Sequence, residues 1–543
     1  MFDVSLRNWG TGAGEELHWG WESMTSMVRG QFLGHWLCAA VNIWRVTGEA
    51  GLKKRVDRIV SELARCQKRD GGQWCGSIPE KYLNWLAHRD EHIGPYQYVL
   101  HKTMMGLFHA YAFSGNEEAL EVLEKSAQWF YDWSGQFSDE KFNDILDIEV
   151  GGMLELWADL YSVTGKAEHL ELLNRYDRSR TFEPLLAGED ILSGYHANTT
   201  IPEVLGAARA YEVTGQSRWR DIVEAYWKCA VTDRGYFCTG GQTTEEGWTK
   251  PFEFAGSLGK RNQEHCTVYN MMRLADTLLR WTGEATYADY MERNLYNGIL
   301  AQQNRLTGMV SYYLQMVPGG RKWWSSATCD FWCCVGTLIQ AHTIHDSTIY
   351  YTGGEGLVVC QYIPSQVEWD HNGSMVKVQQ AFAESPQKWV IKMSVQSNEA
   401  AEFTLKLRLP WWIDGRAKIS VNDKSESVTC GASDFHSIKR KWQNDHLRIE
   451  LPKALTSCPL PDAPDTVAFM DGPVVLAGLC DRQAVPIHGD KDHPESILVP
   501  DEKRPRDDRF CNFQGIGLLG DLKFMPLFEV VDEQHTIYLP VSK

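Results

Sequence analysis

The chain has 543 residues, enough for two to four domains of about 150 residues each and too many for one small core. Its 54 Lys+Arg against 71 Asp+Glu give a formal charge of −17, which argues against a nucleic-acid partner and against attraction to an anionic membrane surface. At 43% hydrophobic and 23% charged, the composition is that of an ordinary folded protein, neither disordered nor fibrous.

No apolar run approaches the roughly 18 residues of a membrane-spanning helix. The opening MFDVSLRNWGTGAGEELHW has no basic start followed by a continuous apolar stretch, so a cytoplasmic location is the expectation. Fourteen cysteines are too dilute for a disulfide scaffold, and any cluster among them points to metal binding or catalysis. Trp (22) outnumbers Tyr (21) and Phe (20), a bias that suits a sugar-binding cleft, although most of these rings belong in the core.

From Gly20 to about Thr352 the apolar spacing is helical, and one signature recurs: WRVTGEAGL (44–52), YAFSGNEEAL (111–120), YSVTGKAEHL (161–170), YEVTGQSRWR (211–220) and RWTGEATYADY (280–290). In each, a glycine (Gly48, Gly115, Gly165, Gly215, Gly283) fits the residue just past a helix end, where the backbone turns left-handed. A sixth, YYTGGEG (350–356), is expected to end the last helix. Six hairpins spaced 50 to 70 residues apart predict closure into an (α/α)6 toroid with its pocket at one set of helix ends. From about Leu357 the period changes to two, in runs such as LVVCQYI, KWVIKMSVQ and FTLKLRL, which predicts β-sandwich structure. The expected organisation is α + β and multidomain: an (α/α)6 barrel over 1–352 and β-sandwich domains over 353–543, with a charged, Pro-rich long loop near 481–508.

Three segments concentrate the chemistry: GGQTTEEGW (240–248), RNQEHCTVYN (261–270) and CDFWCCVGT (329–337). Glu264 and Cys266 are two apart, so they can share a target only ahead of a helix, one expected to begin near Thr267. Cys333 and Cys334 are adjacent, ahead of a helix expected near Val335. Glu264, Cys266, Cys333 and Cys334 together make an oxygen-plus-three-sulfur set suited to Zn2+. On spacing alone the cluster matches no standard zinc motif, and buried free thiols are the simpler reading.

These segments, with YADYMERNLYNGILA (287–301), SYYL (311–314), GWES (20–23), RGQFLGHW (29–36), HANTTIPE (196–203), LRLPWWIDG (407–415) and MDGPVVLAG (470–478), resemble in order the β-L-arabinofuranosidases of glycoside hydrolase family 127. The resemblance implies an (α/α)6 catalytic barrel, a retaining exo-glycosidase acting on a small oligosaccharide or glycoside, and a zinc-bound cysteine nucleophile. By motif position it makes Cys333 the nucleophile, Glu264, Cys266 and Cys334 the other zinc ligands, and Glu246 the general acid/base. Glu245 beside it departs from the small residue expected there and leaves the choice between the two glutamates open. His196, His101 and Tyr312 match pocket residues, and His35, Trp21 and Glu149 are expected to complete the pocket, with core packing the alternative for His35. Few residues precede GWES, which leaves leaving-group recognition unmapped. The β-rich half offers a surface on which two copies could pair. A fold of this kind also hosts epimerases and carboxylate-based hydrolases, and a non-catalytic sugar-binding protein with a structural zinc is a further alternative.

Overall fold

The computed structural model describes residues 19–88, 94–383, 388–480, 487–501, 510–516 and 522–542. Helices alternate between an inner and an outer position. The inner ones are α1 (Gln31–Thr47), α3 (Tyr96–Ser114), α5 (Met153–Thr164), α7 (Ala197–Thr214), α9 (His265–Thr282) and α11 (Cys333–Ala341). Each of the first five is followed by an outer partner: α2 (Ala50–Arg69), α4 (Glu117–Ser134), α6 (Ala167–Arg175), α8 (Ser217–Trp227) and α10 (Ala285–Asn294). Every inner helix packs on the next, and α11 returns to α1, so the ring closes. The sequence pattern separates the two roles. In α3 and α7 buried residues occur on all sides, whereas α2 buries Val56, Ile59, Val60, Leu63 and Cys66, one helical stripe.

The five repeat glycines lie past the C-termini of α1, α3, α5, α7 and α9 with φ between 64° and 73°, and nothing stands within 4 Å of where their side chains would be. They serve backbone conformation alone. Gly34 serves packing instead: a Cβ there would lie 1.7 Å from the Lys102 carbonyl oxygen, so α1 and α3 cross at van der Waals contact of their backbones.

The sixth signature does not end a helix. The last inner helix stops at Ala341, and YYTGGEG forms a hairpin of Tyr350–Gly353 against Gly356–Val359. Its second strand is captured in parallel by Thr404–Leu407, a distant partner that local spacing cannot reveal. Among the described residues the β-rich region holds two eight-stranded sheets. The first is built on two long strands, Lys388–Leu409 and Asp434–Pro452, paired along their length through a bulge near Trp442. Of the segment expected to be a long loop, 481–486 and 502–508 lie outside the described residues. Between them Ile487–His488 and Leu498–Pro500 are strands of the second sheet, so that stretch is not irregular throughout. The LRLPWW motif locks the first sheet to α10. Fully buried Arg408 donates to Glu292 Oε1 at 2.6 Å, and Trp412 Nε1 donates to the same carboxylate at 2.7 Å. Such a pair fixes how the two units seat even where its net energy is small.

Candidate active site

All the chemistry gathers at the N-terminal ends of the inner helices. Glu264 caps α9, with Cys266 in its first turn, and Trp332 caps α11, whose first two residues are Cys333 and Cys334. Both helices begin two residues earlier than the sequence spacing implies, which brings the ligand residues into the first turns. Those backbone N–H groups and helix dipoles favour negative charge there. His196 caps α7, and Tyr98 and His101 lie in the first turns of α3. Left-handed backbone at Gln263 (φ 47°) and Phe331 (φ 50°) redirects the chain just ahead of both ligand pairs, an unfavourable conformation for these residues that the surrounding fold imposes.

A four-stranded sheet carries the remaining groups: β1 (Thr243–Thr244), β2 (Gly247–Trp248), β3 (Asn262–Glu264) and β4 (Tyr313–Leu314), in the order β2-β1-β3-β4. Glu245 and Glu246 are the two turn residues between β1 and β2, with φ of 49° and 66°. Both positive angles mark a type I′ turn, which favours Asn-Gly and here holds two glutamates. The turn sends the pair in opposite directions. Glu245 points outward to Arg261 Nη1 at 3.0 Å, and Glu246 points inward. Tyr312 donates its hydroxyl proton to Glu246 Oε1 at 2.6 Å, and His196 Nε2 stands 3.8 Å from Glu246 Oε2.

The Glu264, Cys266, Cys333 and Cys334 ligand atoms all lie within 4.8 Å of one another and all four residues are buried. Cys266 and Cys334 sulfurs are 3.4 Å apart, Cys333 and Cys334 sulfurs 3.9 Å, and Cys333 Sγ is 3.6 Å from Glu264 Oε1. Burial holds the Cys266 and Cys334 thiols well above their ordinary pKa, and it raises the Glu264 carboxyl well above its own. Cys333 goes the other way, because hydrogen bonds from the neighbouring Cys266 and Cys334 thiols favour its ionised form. Glu264 Oε2 is buried without a hydrogen-bond partner. Three converging thiols and an orphaned carboxylate oxygen form a cluster that could hold a metal ion.

The other expected pocket residues divide. Glu149, half-buried, has its carboxyl pKa raised by burial; His196 opposes this, while Cys333 and Glu246 are close enough to add to it. Trp21 lines the cavity beside Glu246. His101 is buried against the Gly151–Gly152 turn and its Nδ1 accepts from Gly152 N at 3.3 Å; burial keeps it neutral. His35 is packed behind α11, its Nδ1 2.6 Å from Gln340 Oε1, its pKa pushed down to about 3 by burial. Glu22 is fully buried and accepts from Gly30 N at 2.6 Å and Phe32 N at 2.9 Å, capping α1. Sequence reasoning missed Tyr98 and Lys102, both buried in α3, with Lys102 Nζ 4.8 Å from the Tyr98 ring centroid. The signal was a lone lysine inside the otherwise apolar run YVLHKTMMG.

The profile of the β-L-arabinofuranosidase catalytic domain of glycoside hydrolase family 127 matches residues 6–347, and that of the family's middle domain matches residues 356–453. The chain belongs to glycoside hydrolase family 127. A relative, the non-reducing end β-L-arabinofuranosidase of Bifidobacterium longum subsp. longum, is 23% identical over 444 residues, spanning 72% of this chain and 65% of that protein, a little under two thirds of its length. Among solved structures, a family 127 β-L-arabinofuranosidase from Geobacillus stearothermophilus T6 superposes with a TM-score of 0.73 at 18% identity, covering 100% of this chain and 94% of that one. A second family 127 β-arabinofuranosidase gives 0.74 at 16% identity, over 100% and 92%. These likenesses establish the fold, a helical domain followed by β-sheet-rich domains. Among the described residues no helix is long and apolar enough to cross a membrane.

Proposed function

We propose that this protein is a retaining exo-glycosidase that removes terminal β-L-arabinofuranose from small glycosides, with Cys333 as nucleophile and Glu246 as general acid/base. One observation carries the reading: a single hydroxyl, that of Tyr312, contacts both Cys333 Sγ (3.5 Å) and Glu246 Oε1 (2.6 Å). The two reacting atoms are therefore no farther apart than 3.5 plus 2.6 Å, 6.1 Å. That bound falls short of the roughly 6.5–9.5 Å at which an inverting enzyme seats a water between its two groups, and it approaches the roughly 5–5.5 Å of retaining pairs.

Glu246, protonated, gives its proton to the glycosidic oxygen as the Cys333 thiolate attacks the anomeric carbon, so a C–S bond forms as the C–O bond breaks and the leaving group departs as an alcohol. Glu246, now a carboxylate, takes a proton from water. The resulting hydroxide equivalent attacks the same carbon, the C–S bond breaks and the thiolate is restored. Tyr312 places one hydroxyl between acid and nucleophile, donating to Glu246 Oε1 and accepting from the Cys333 thiol, and His196 borders the acid. Held by Glu264, Cys266, Cys333 and Cys334, a Zn2+ would supply the positive charge that keeps buried thiols ionised at neutral pH. The inward course of Glu246 and the Arg261 pairing of Glu245 favour Glu246 for the acid role.

The test is hydrolysis of methyl β-L-arabinofuranoside followed by proton NMR. The reading expects β-arabinose as the first anomer and no turnover by Cys333→Ala. Release of the α anomer first, or full turnover by the variant, overturns it.

A further inference from the structure

Beside Glu246 the helical domain opens into a cavity of about 520 Å³ whose lining includes Trp21, Tyr312, Trp323, Trp332, Lys260 and Arg261. Aromatic rings run outward from the reaction centre in file. The Tyr312 and Trp332 ring centroids are 5.6 Å apart, and those of Trp332 and Trp323 are 5.4 Å apart. Trp332 is the residue immediately before Cys333, fixed as the cap of α11. At the outer end, Trp323 is 68% exposed, the most exposed tryptophan among the described residues. What distinguishes this indole from a scattered exposed side chain is that it continues the file of rings into the cavity that also holds Glu246, an apolar wall with polar groups beside it.

The chain holds that indole in place from both sides. Lys322, buried, donates from Nζ to the carbonyls of Leu527 and Val530, each at 2.7 Å. Trp324 Nε1 donates to the Val531 carbonyl at 3.2 Å. Both flanking side chains are thus anchored in the C-terminal β region, and alternation along an extended segment turns Trp323 the other way, toward the cavity. The N-terminal segment closes another side: Trp21 N donates to the Asp330 carbonyl at 3.1 Å, two residues ahead of Trp332.

We propose that Trp323, presented by the loop that Lys322 and Trp324 pin to the C-terminal β region, forms with Trp332 and Trp21 the subsite for the leaving group, and that the group it accepts is a further sugar ring. The inference rests on the glycosidase reading, because the bond broken must have its leaving oxygen at Glu246. A sugar presents a face of C–H groups to an indole and hydroxyls at its edge, and Lys260 and Arg261 bring N–H donors to the same cavity. Lys322 acts as a positioning residue, and the β region contributes to substrate choice without touching the substrate.

The experiment compares wild type, Trp323→Ala and Trp323→Phe on methyl β-L-arabinofuranoside and on a β-L-arabinofuranosyl disaccharide. The expected result is a fall of about 10-fold or more in kcat/KM for the disaccharide in Trp323→Ala, with recovery in Trp323→Phe and a much smaller fall on the methyl glycoside. Equal losses on both substrates, or no loss on the disaccharide, overturn the subsite. If wild type cleaves neither glycoside, the glycosidase reading fails by itself. Calorimetric titration of Cys333→Ala with the disaccharide then decides the subsite separately: binding that adding Trp323→Ala weakens at least about 10-fold retains it, and binding that is absent or unaffected overturns it.

Discussion

The two ends of the helical barrel follow different rules. At the end where the inner helices terminate, five glycines with φ of 64° to 73° close five hairpins in nearly the same way, and their surroundings are empty. At the other end, where the inner helices begin, three of the six caps are Glu264, His196 and Trp332, left-handed backbone falls on Glu245, Glu246, Gln263 and Phe331, and buried polar groups crowd together. One end obeys local conformational preference and the other is held against it by long-range contacts. The difference teaches where the candidate site lies in this barrel: at the end whose backbone needs the rest of the fold to hold it.

The sharpest way to break this contrast is to remove one atom from the active end. Cys333→Ala is expected to lower turnover by about 10⁴-fold or more in a steady-state assay on the methyl glycoside, with secondary structure intact by circular dichroism. The metal side of the same claim is measured by mass spectrometry of protein purified without chelator. Wild type is expected to hold about one zinc per chain, and Cys266→Ser much less, with a lower melting temperature. Zinc content unchanged in Cys266→Ser would remove that residue from the ligand set.

Next in size is the pair of glutamates in the β1–β2 turn. Glu246→Gln is expected to lose about 10²- to 10⁴-fold in kcat, while Glu245→Gln, which breaks only an exposed ion pair with Arg261, stays within a few-fold of wild type. Rates that reversed this order would transfer the acid role to Glu245.

Two glycines sharpen the comparison further, one from each end. Gly165→Ala forces a left-handed alanine into open space and is expected to lower stability by about 1 to 2 kcal/mol in urea unfolding, with kcat unchanged. Gly336 lies in α11, and a Cβ there would fall 2.3 Å from His35 Cδ2. Gly336→Ala is therefore expected to shift the helix that carries Cys333 and to lower both stability and kcat. Equal effects of the two substitutions on kcat would abolish the distinction between the ends.

The same contrast explains what could be read in the sequence. The closed end was legible because a glycine after an aromatic or aliphatic helix end acts within four residues of itself. The cluster of Glu264, Cys266, Cys333 and Cys334 was legible as a composition anomaly, and the structure brings its four side chains together. The turn that separates Glu245 from Glu246 was not, because its direction depends on pairing with β3 and on Arg261. Nor was the fate of YYTGGEG, whose hairpin exists because Thr404–Leu407 captures it. Nor was the burial of Lys322, whose carbonyl partners lie some 200 residues later in the chain.

The smallest expected effect lies at Glu22, where the N-terminal segment enters the active end. Burial pushes its carboxyl pKa up from 4.5 to about 7, although hydrogen bonds from Phe32 N and Gly30 N work in the opposite direction. A group whose pKa is raised in the folded chain binds its proton more tightly there than when unfolded. Its contribution to stability is therefore fully present below about pH 4.5 and is lost as pH rises through about 7. Glu22→Gln removes the titration and keeps the shape. Between pH 5 and 8 the wild-type melting temperature is expected to fall relative to that of the variant, by a few degrees at most. Glu203, also raised to about 7, is present in both proteins and cancels from the difference. Parallel curves would mean that Glu22 keeps one protonation state across that range. The cap it forms on α1 would then be independent of pH, and the active end would be anchored at its N-terminal side as firmly as it is at Lys322.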